Sequence, residues 1–289
     1  MSAARPPRRA TGGAVHEGGG DSVTSSSAQV AGRGASPREA WRLGAVRACW
    51  TGRSDGDLGP GVEPALRLRR ERAVVALPWR RCRQVHGAGV LAVTGGTELD
   101  TTAGQAGPFR PPRGSAVAAG EREGGGGRAV PAFPVADALV GDVPGMALAV
   151  AVADCGPVAL ASGDGIMGVA HAGWRGVLAG VLPSAVAAMR ALGARDVVAA
   201  LGPCVHPCCY PFGREELAVF AGRFGRGVVA EDAEGRPALD LPSAIEASLR
   251  RSGVALAVTS PTCTACGGRH FSHRRDRTLA RNALAVWLA

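Results

Sequence analysis

The sequence predicts an α/β or α+β domain. Apolar runs of strand length, such as residues 147–152 and 166–170, alternate with Ala-, Val- and Leu-rich segments of helical character, such as residues 177–192. Polar side chains directly follow several of the predicted strands, as is typical of sites built at strand ends. At 289 residues and 46% hydrophobic content, the chain is long enough to bury a substantial core.

The elements follow from the same patterns. Predicted strands cover residues 43–50, 88–93, 136–140, 147–152, 166–170, 196–201 and 254–259. Predicted helices cover residues 62–77, 177–192, 214–220, 243–251 and 281–289. Pro183 lies inside the second of these helices, where the missing N–H and the ring are expected to kink it.

Two segments have the composition of unstructured chain. Residues 1–38 are rich in Gly, Ser, Ala, Pro and Arg without periodicity, and predict a disordered tail. Residues 94–130 are dominated by Gly, Ala, Thr and Pro, and predict a long flexible insertion. We therefore expect one domain over residues 39–289, interrupted by this insertion.

Charge and cysteine content limit the classes of protein to which this sequence can belong. The net charge is +9 and the sequence contains no lysine, which indicates a compositional bias towards arginine. The arginines are scattered and aromatic residues make up 4%, so we expect no nucleic-acid partner. No apolar run approaches the roughly 20 residues that span a bilayer, and no apolar segment follows the N-terminal arginines, so we expect a cytoplasmic protein without a membrane partner. Eight cysteines in such a chain are expected to be reduced.

The central stretch predicts a metal site. Cys155 follows the apolar run 147–152, and His171 follows the run 166–170. Neighbouring strands lie roughly 4.8 Å apart, so two adjacent strands could bring these side chains to one ion.

An anion site is predicted directly after His171. Gly173 and Gly176 allow a tight turn into a helix, and Arg175 adds a charged planar fork suited to phosphate or carboxylate. The alternative is that Arg175 is a solvated arginine and Trp174 a packing residue.

An ordered set of motifs resembles the YfiH-like laccase-domain family, also known as the multicopper polyphenol oxidase or purine nucleoside phosphorylase family. The matching blocks are Arg83-Gln-Val-His-Gly87, Asp137-Ala-Leu-Val140, Pro144-Gly145, Ala153-Asp-Cys155, His171-Ala-Gly-Trp-Arg-Gly176, Gly202-Pro-Cys204, Cys208-Cys-Tyr210 and Phe271-Ser-His-Arg-Arg-Asp276. The resemblance runs from about Trp41 to the C-terminus and implies a layered α-β-β-α sandwich.

The resemblance also implies a metal held by His86, Cys155 and His171. Two imidazoles and a thiolate suit zinc, because three protein ligands leave a fourth tetrahedral position for water, whose pKa the metal lowers to roughly 7. Copper is the less favoured alternative.

The implied activity is on purine nucleosides. It comprises phosphorolysis of adenosine, inosine, guanosine or methylthioadenosine, and hydrolytic deamination of adenosine. Phosphorolysis needs a phosphate site, for which Arg175 is the first candidate, followed by His273 and Arg274. Asp154 is a candidate proton carrier or a hydrogen-bond partner for a metal-ligating histidine.

The residues of the predicted site are also compatible with other functions. Cys155 with His171 could form the nucleophile and base of a cysteine hydrolase, such as an amidase that edits peptidoglycan precursors. Six histidines are few for a multicopper oxidase, although copper in a His/Cys site could oxidise phenols weakly. A scaffold that lacks activity is the third alternative. The oligomeric state is not predicted.

The Cys263-Thr-Ala-Cys266 motif has two interpretations. With His270, or with Cys208 and Cys209, it could form a separate structural zinc site. Free thiols are the simpler interpretation.

Overall fold

The computed structural model describes residues 38–95, 97–101 and 133–289, with backbone alone for residues 97–101. The predicted tail over residues 1–38 lies outside this range except for Arg38, and so does most of the predicted insertion over residues 94–130.

The described residues form fourteen β-strands and six α-helices. The strands are β1 (Glu39–Leu43), β2 (Val46–Trp50), β3 (Trp79–Arg80), β4 (Val90–Thr94), β5 (Thr97–Thr101), β6 (Ala138–Gly141), β7 (Ala147–Val152), β8 (Gly156–Ser162), β9 (Met167–Ala172), β10 (Val197–Leu201), β11 (Val229–Glu231), β12 (Pro237–Leu239), β13 (Ala255–Thr259) and β14 (Asn282–Leu288). The helices are α1 (Pro64–Val74), α2 (Trp174–Ala179), α3 (Val181–Ala191), α4 (Arg214–Phe224), α5 (Leu241–Arg251) and α6 (His273–Asp276).

Two large sheets form the centre of the molecule. A five-stranded sheet has the order β1-β2-β14-β7-β3, and a seven-stranded sheet has the order β13-β10-β8-β9-β6-β4-β5. Side chains from both sheets form a shared core between them, among them Trp50, Leu148, Ala159, Ala161 and Leu284. The sheets therefore pack face to face, as in a sandwich.

Helices cover the outer faces. α2, α3 and α5 pack on the seven-stranded sheet, where Val181, Leu182, Met189 and Ile245 are buried against its strands. On the other side, Val74 and Val75 at the end of α1 pack with Trp79, Ala147 and Ala285 of the five-stranded sheet. The layered α-β-β-α, single-domain fold that the sequence predicted is confirmed.

The C-terminal prediction was wrong. Residues 281–289 were expected to form a helix, but Asn282–Leu288 is strand β14. It lies inside the five-stranded sheet and pairs antiparallel with both β2 and β7. Ala and Leu favour helices in isolation, but two ladders of backbone hydrogen bonds and the burial of Leu284 and Val286 override this preference.

Two further predictions need correction. The strand predicted over residues 43–50 is a hairpin, because the chain turns at Gly44 between β1 and β2. The helix predicted over residues 177–192 is two helices, α2 and α3, separated at Gly180, whose φ is 94°. Pro183 does not cause this break, since it lies in the first turn of α3, where its missing N–H leaves no hydrogen bond broken inside the helix.

No helix in the described ranges combines the length and the apolar character that crossing a membrane requires.

Gly202 offers a test of the contact between the two sheets. It is buried after β10, and a Cβ at this position would overlap the indole ring of Trp50 from β2. We expect Gly202→Ala to lower the free energy of unfolding by about 1–3 kcal/mol, because the ring is held by a hydrogen bond from its Nε1 to the Pro157 carbonyl.

Urea denaturation measures this loss, with Gly163→Ala as the matched control. A Cβ at Gly163 meets no atom within 4 Å, so the control should change stability by less than about 0.5 kcal/mol. Equal stability of the two variants would contradict the proposed packing of Trp50 on Gly202.

Candidate functional site

His86 lies in a loop that the side chains of Gln84 and Asp137 hold in place. The Gln84 amide extends the edge of β7, donating to the Ala151 carbonyl and accepting from the Ala151 N–H, both at 2.8 Å. His86 itself has a φ of 59°, in the left-handed region that non-glycine residues seldom occupy. The loop therefore presents the imidazole in a conformation that its surroundings must stabilise.

Asp137 supplies that stabilisation. Its carboxylate is fully buried just before β6 and accepts hydrogen bonds from the backbone N–H groups of Val85, His86 and Gly87 at 2.7–3.2 Å. It also lies 2.9 Å from Nδ1 of His171. Burial acts to raise the pKa of Asp137, but His171 and the backbone donors outweigh it and lower that pKa below its usual value. One carboxylate thus organises both histidines.

Cys155 and His171 meet through a hairpin. The sequence predicted that they follow two adjacent strands, but β7 belongs to the five-stranded sheet and β9 to the seven-stranded sheet. Cys155 instead directly precedes β8, which pairs antiparallel with β9 so that Pro157 faces His171. The expected proximity is therefore found, by a different arrangement of strands.

His86, Cys155 and His171 form one cluster. A donor atom from each lies within 4.8 Å of the other two, and the two imidazole centroids are 4.7 Å apart. Asp137 occupies Nδ1 of His171, which leaves Nε2 as the nitrogen available to a metal. His86 is exposed, Cys155 partly exposed and His171 buried, so the cluster opens to solvent on one side.

The electrostatics of the cluster favour a thiolate. Burial acts to raise the pKa of Cys155, but the charges and hydrogen bonds of His171 and His86 lower it to about 6. Burial likewise acts to lower the pKa of His171, whereas Cys155 and Asp137 raise it to about 9. Since metals bind the thiolate form of cysteine, Cys155 is prepared as a ligand near neutral pH.

Gly173 leaves room beside the cluster. A Cβ at this residue would lie 2.8 Å from Sγ of Cys155 and 3.0 Å from Nδ1 of His86. The absence of a side chain here therefore keeps the space between these two donor atoms free.

Aromatic rings and arginines lie on segments that adjoin the cluster, since Trp174 and Arg175 follow Gly173 and the Arg274 N–H donates to Asp154 beside Cys155. Trp174 and Tyr210 each make an edge contact with Phe212, at 5.5 and 5.3 Å between ring centroids. The Arg175 guanidinium lies 4.2 Å from the Trp174 ring centroid, and that of Arg274 lies 4.9 Å from the Tyr210 ring centroid. The arrangement offers flat apolar surfaces and positive charge, which suit an aromatic ligand that is accompanied by an anion.

Asp154 differs from its predicted role as a partner of a histidine. Its carboxylate accepts from the Thr264 hydroxyl and from the Arg274 N–H, both at 2.7 Å, while the carboxylate beside His171 is that of Asp137. Asp154 thereby ties the turn that carries Cys155 to the C-terminal segment.

His273, a predicted phosphate or substrate ligand, is exposed, and its Nδ1 lies 3.3 Å from the Thr278 carbonyl.

The roles of Asp137, Tyr210 and Phe212 were not predicted from the sequence. Asp137 was part of a quoted motif, and an acidic residue at the start of an apolar strand is the signal that could have identified it. The aromatic residues follow Cys208-Cys209, but no local pattern indicates that Phe212 contacts Trp174.

One known protein family matches most of the chain. The profile described as multi-copper polyphenol oxidoreductase laccase matches residues 51–289. The match begins directly after β2, and therefore includes all three residues of the cluster together with Asp137.

Curated relatives carry a different description. A Streptomyces griseus protein named purine nucleoside phosphorylase ORF3 is 45% identical over 159 residues, which are 54% of this chain and 64% of that protein. The chain thus spans less than two thirds of that relative. The Geobacillus stearothermophilus protein named purine nucleoside phosphorylase YlmD is 31% identical over 219 residues, covering 72% of this chain and 70% of that protein.

Solved structures share the fold. The Bacillus licheniformis hypothetical protein YfiH superposes with a TM-score of 0.65 at 24% identity, over 84% of this chain and 93% of that chain. YlmD from Geobacillus stearothermophilus gives a TM-score of 0.63 at 27% identity, over 84% and 91%. With a profile match over most of its length and motifs in the same order, the chain belongs to the multi-copper polyphenol oxidoreductase laccase family, which is the family that its sequence resembled.

Proposed function

We propose that the protein is a zinc-dependent enzyme of purine nucleosides. It would split adenosine, inosine, guanosine or methylthioadenosine with phosphate into the base and a pentose 1-phosphate, and deaminate adenosine. The observation that carries the proposal is the His86, Cys155 and His171 cluster beside aromatic rings and two arginines. The names of the curated relatives support the same substrate class.

The donor set fits zinc. Two imidazoles and one thiolate are common zinc ligands, and three protein ligands leave a position open for chemistry. When bound, zinc supplies positive charge that polarises an oxygen of a reactant and lowers the pKa of water. Asp137 holds His171 by its Nδ1 and the His86 loop by its backbone, so both rings are oriented before a metal arrives.

The remaining residues have roles in binding. Tyr210, Phe212 and Trp174 provide surfaces on which a purine can stack. Arg175 and Arg274 would hold phosphate, with His273 as a third candidate. Burial, together with the charge of Cys155, raises the pKa of Tyr210 above its usual value, so its hydroxyl remains a neutral hydrogen-bond donor. Asp154 would position Arg274 through its backbone N–H, and its role as a proton carrier is the alternative.

A cysteine hydrolase is the second candidate function. In the metal-free chain, a thiolate at Cys155 beside a protonated His171 resembles an activated nucleophile with its acid-base partner. A thiolate that binds zinc cannot at the same time attack a substrate. The two functions therefore separate by metal content.

A multicopper oxidase fits the site less well. Within the described residues, His86, Cys155 and His171 are the one group of three or more potential ligands that contains histidine. The alternative that remains from this family description is weak oxidation of phenols by copper bound at this site.

We expect the protein to work in the reducing cytoplasm, where its thiols would remain free.

Removing the thiol of the cluster tests the main proposal. We expect Cys155→Ala to lose the zinc of this site and to reduce both adenine and inosine formation from adenosine plus phosphate at least 100-fold, because the metal supplies the electrostatic catalysis. Elemental analysis and chromatography of the products measure both effects.

Cys49→Ala is the matched control, because Cys49 is buried in β2 and lies outside the cluster. It should retain metal and activity. Wild-type protein that is free of metal at this site, inert towards adenosine and readily alkylated at Cys155 would overturn the proposal in favour of the cysteine hydrolase.

Removing the charge of Asp137 tests the orientation of the histidines. We expect Asp137→Asn to weaken zinc binding at this site about 10- to 100-fold, since the carboxylate sets the tautomer of His171 and holds the His86 loop. Competition with a chromogenic chelator measures the affinity of the folded protein. Asp164→Asn is the control, because Asp164 pairs with Arg195 on the surface; an equal loss of affinity in both variants would contradict the assigned role.

The arginines separate the two reactions. We expect Arg175→Gln and Arg274→Gln to raise KM for phosphate about 10-fold or more, because each removes charged hydrogen-bond donors. Deamination needs no phosphate, so adenosine conversion to inosine should change much less. Parallel loss of both reactions would show that these arginines do not form a phosphate site. Arg195→Gln, at the surface, is the control.

A further inference from the structure

Four thiols converge at a second place in the structure. Sγ atoms of Cys208, Cys209, Cys263 and Cys266 all lie within 4.8 Å of one another. Sγ of Cys266 is 3.4 Å from that of Cys208 and 3.3 Å from that of Cys209. These residues are distinct from His86, Cys155 and His171, and we call them the four-thiol cluster.

The fold brings two separate segments to the cluster. Pro207–Cys209 is a short 3-10 turn that follows β10, and Cys263 and Cys266 follow β13. β10 and β13 are parallel neighbours, and the pairing continues beyond them as a bridge between Cys204 and Cys263. The ends of two adjacent strands therefore deliver two thiols each.

The Cys263–Cys266 loop is shaped by hydrogen bonds of its own. The Arg275 guanidinium donates to the carbonyls of Thr264, Gly267 and His270, which lie around the loop. The N–H of His206 points at Sγ of Cys263 at 3.4 Å. A hydrogen bond from an N–H group stabilises negative charge on the Cys263 sulfur, the form in which cysteine binds a metal.

The spacing fits a tetrahedron around zinc. Zinc–sulfur bonds of about 2.3 Å place the sulfur atoms of a tetrahedral site roughly 3.8 Å apart. The observed separations of 3.3 and 3.4 Å, and the limit of 4.8 Å for all pairs, bracket this value. The observed separations are well beyond the roughly 2.05 Å of a disulfide. In addition, both Cys208 and Cys209 approach the same sulfur of Cys266, which could form a disulfide with only one of them.

We propose that the four-thiol cluster is a structural zinc site with four cysteine ligands. Four protein ligands fill a tetrahedral zinc and leave no position for a substrate, so the site would stabilise structure rather than catalyse. Cys263-x-x-Cys266 has the ordinary spacing of such ligands, while the other half is the adjacent pair Cys208-Cys209. Cys266 is exposed, which gives the ion access from solvent.

The site would hold part of the catalytic opening in place. Cys209 directly precedes Tyr210, and Thr264, inside the Cys263–Cys266 loop, donates to Asp154 beside Cys155. Zinc at the four-thiol cluster would therefore couple the position of Tyr210 to that of the C-terminal segment.

Metal counting on the full chain tests this proposal. We expect about two zinc ions per wild-type chain and about one in each of Cys266→Ser and Cys155→Ala. Cobalt replacement should give the intense thiolate-to-metal absorption of a four-thiolate site in wild type and in Cys155→Ala, and a much weaker absorption in Cys266→Ser. Cys49→Ala, in the core away from both clusters, should keep both ions.

The outcomes separate this site from the first one. A single zinc in wild type that Cys155→Ala abolishes and Cys266→Ser leaves intact would overturn the four-thiol site while sparing the proposed function. A disulfide among Cys208, Cys209, Cys263 and Cys266 in protein purified under reducing conditions, mapped by mass spectrometry, would also overturn it. If Cys266→Ser is insoluble, Cys155→Ala decides, because metal-free Cys155→Ala contradicts a second zinc.

Discussion

The buried carboxylate of Asp137 is the interaction on which the candidate active site depends. A charge without exposure to solvent is costly unless its oxygens are fully hydrogen-bonded, and Asp137 meets this condition with three backbone N–H groups and the ring of His171. The same bonds hold His86 at a positive φ and set the nitrogen that His171 offers to a metal. Electrostatic stability and ligand geometry therefore come from one group.

The site lies where the chain passes between the two sheets. β7 ends in the five-stranded sheet, and the short link through Asp154 and Cys155 leads into β8 of the seven-stranded sheet. Asp154 has a φ of 82° in this link, and its hydrogen bonds to Thr264 and Arg274 hold it there. Cys155 lies in the link, while the strands on either side of it, β7 and β8, are buried in the core. The flanking strands therefore fix the position of Cys155 although its thiol stays partly exposed.

The sequence predicted the meeting of His86, Cys155 and His171 and the layers of the fold better than it predicted the individual strands. β8 was not predicted, because every residue of this strand is buried and small apolar residues give no alternation of polar and apolar positions. β14 was taken for a helix because its Ala- and Leu-rich sequence has no local feature that reports pairing with β2 and β7. The hydrogen bond of Asp137 to His171 joins residues 34 positions apart, and such contacts follow from sheet order, which composition and periodicity do not contain.

The segments that complete the site have little regular structure to support them. Between β10 and α4, the chain forms only the 3-10 turn at Pro207–Cys209, and between β13 and β14 it forms only the four-residue helix α6. Neither segment gains the ladder of hydrogen bonds that orders a strand, yet they carry Tyr210 and Arg274. Side-chain links must therefore provide the order. Among them are those of Asp154 to Arg274, of Arg275 to the loop carbonyls, and of the converging thiols. A metal at the thiols would be the strongest of these links, because it joins both segments through four bonds, whereas each hydrogen bond joins one pair of groups.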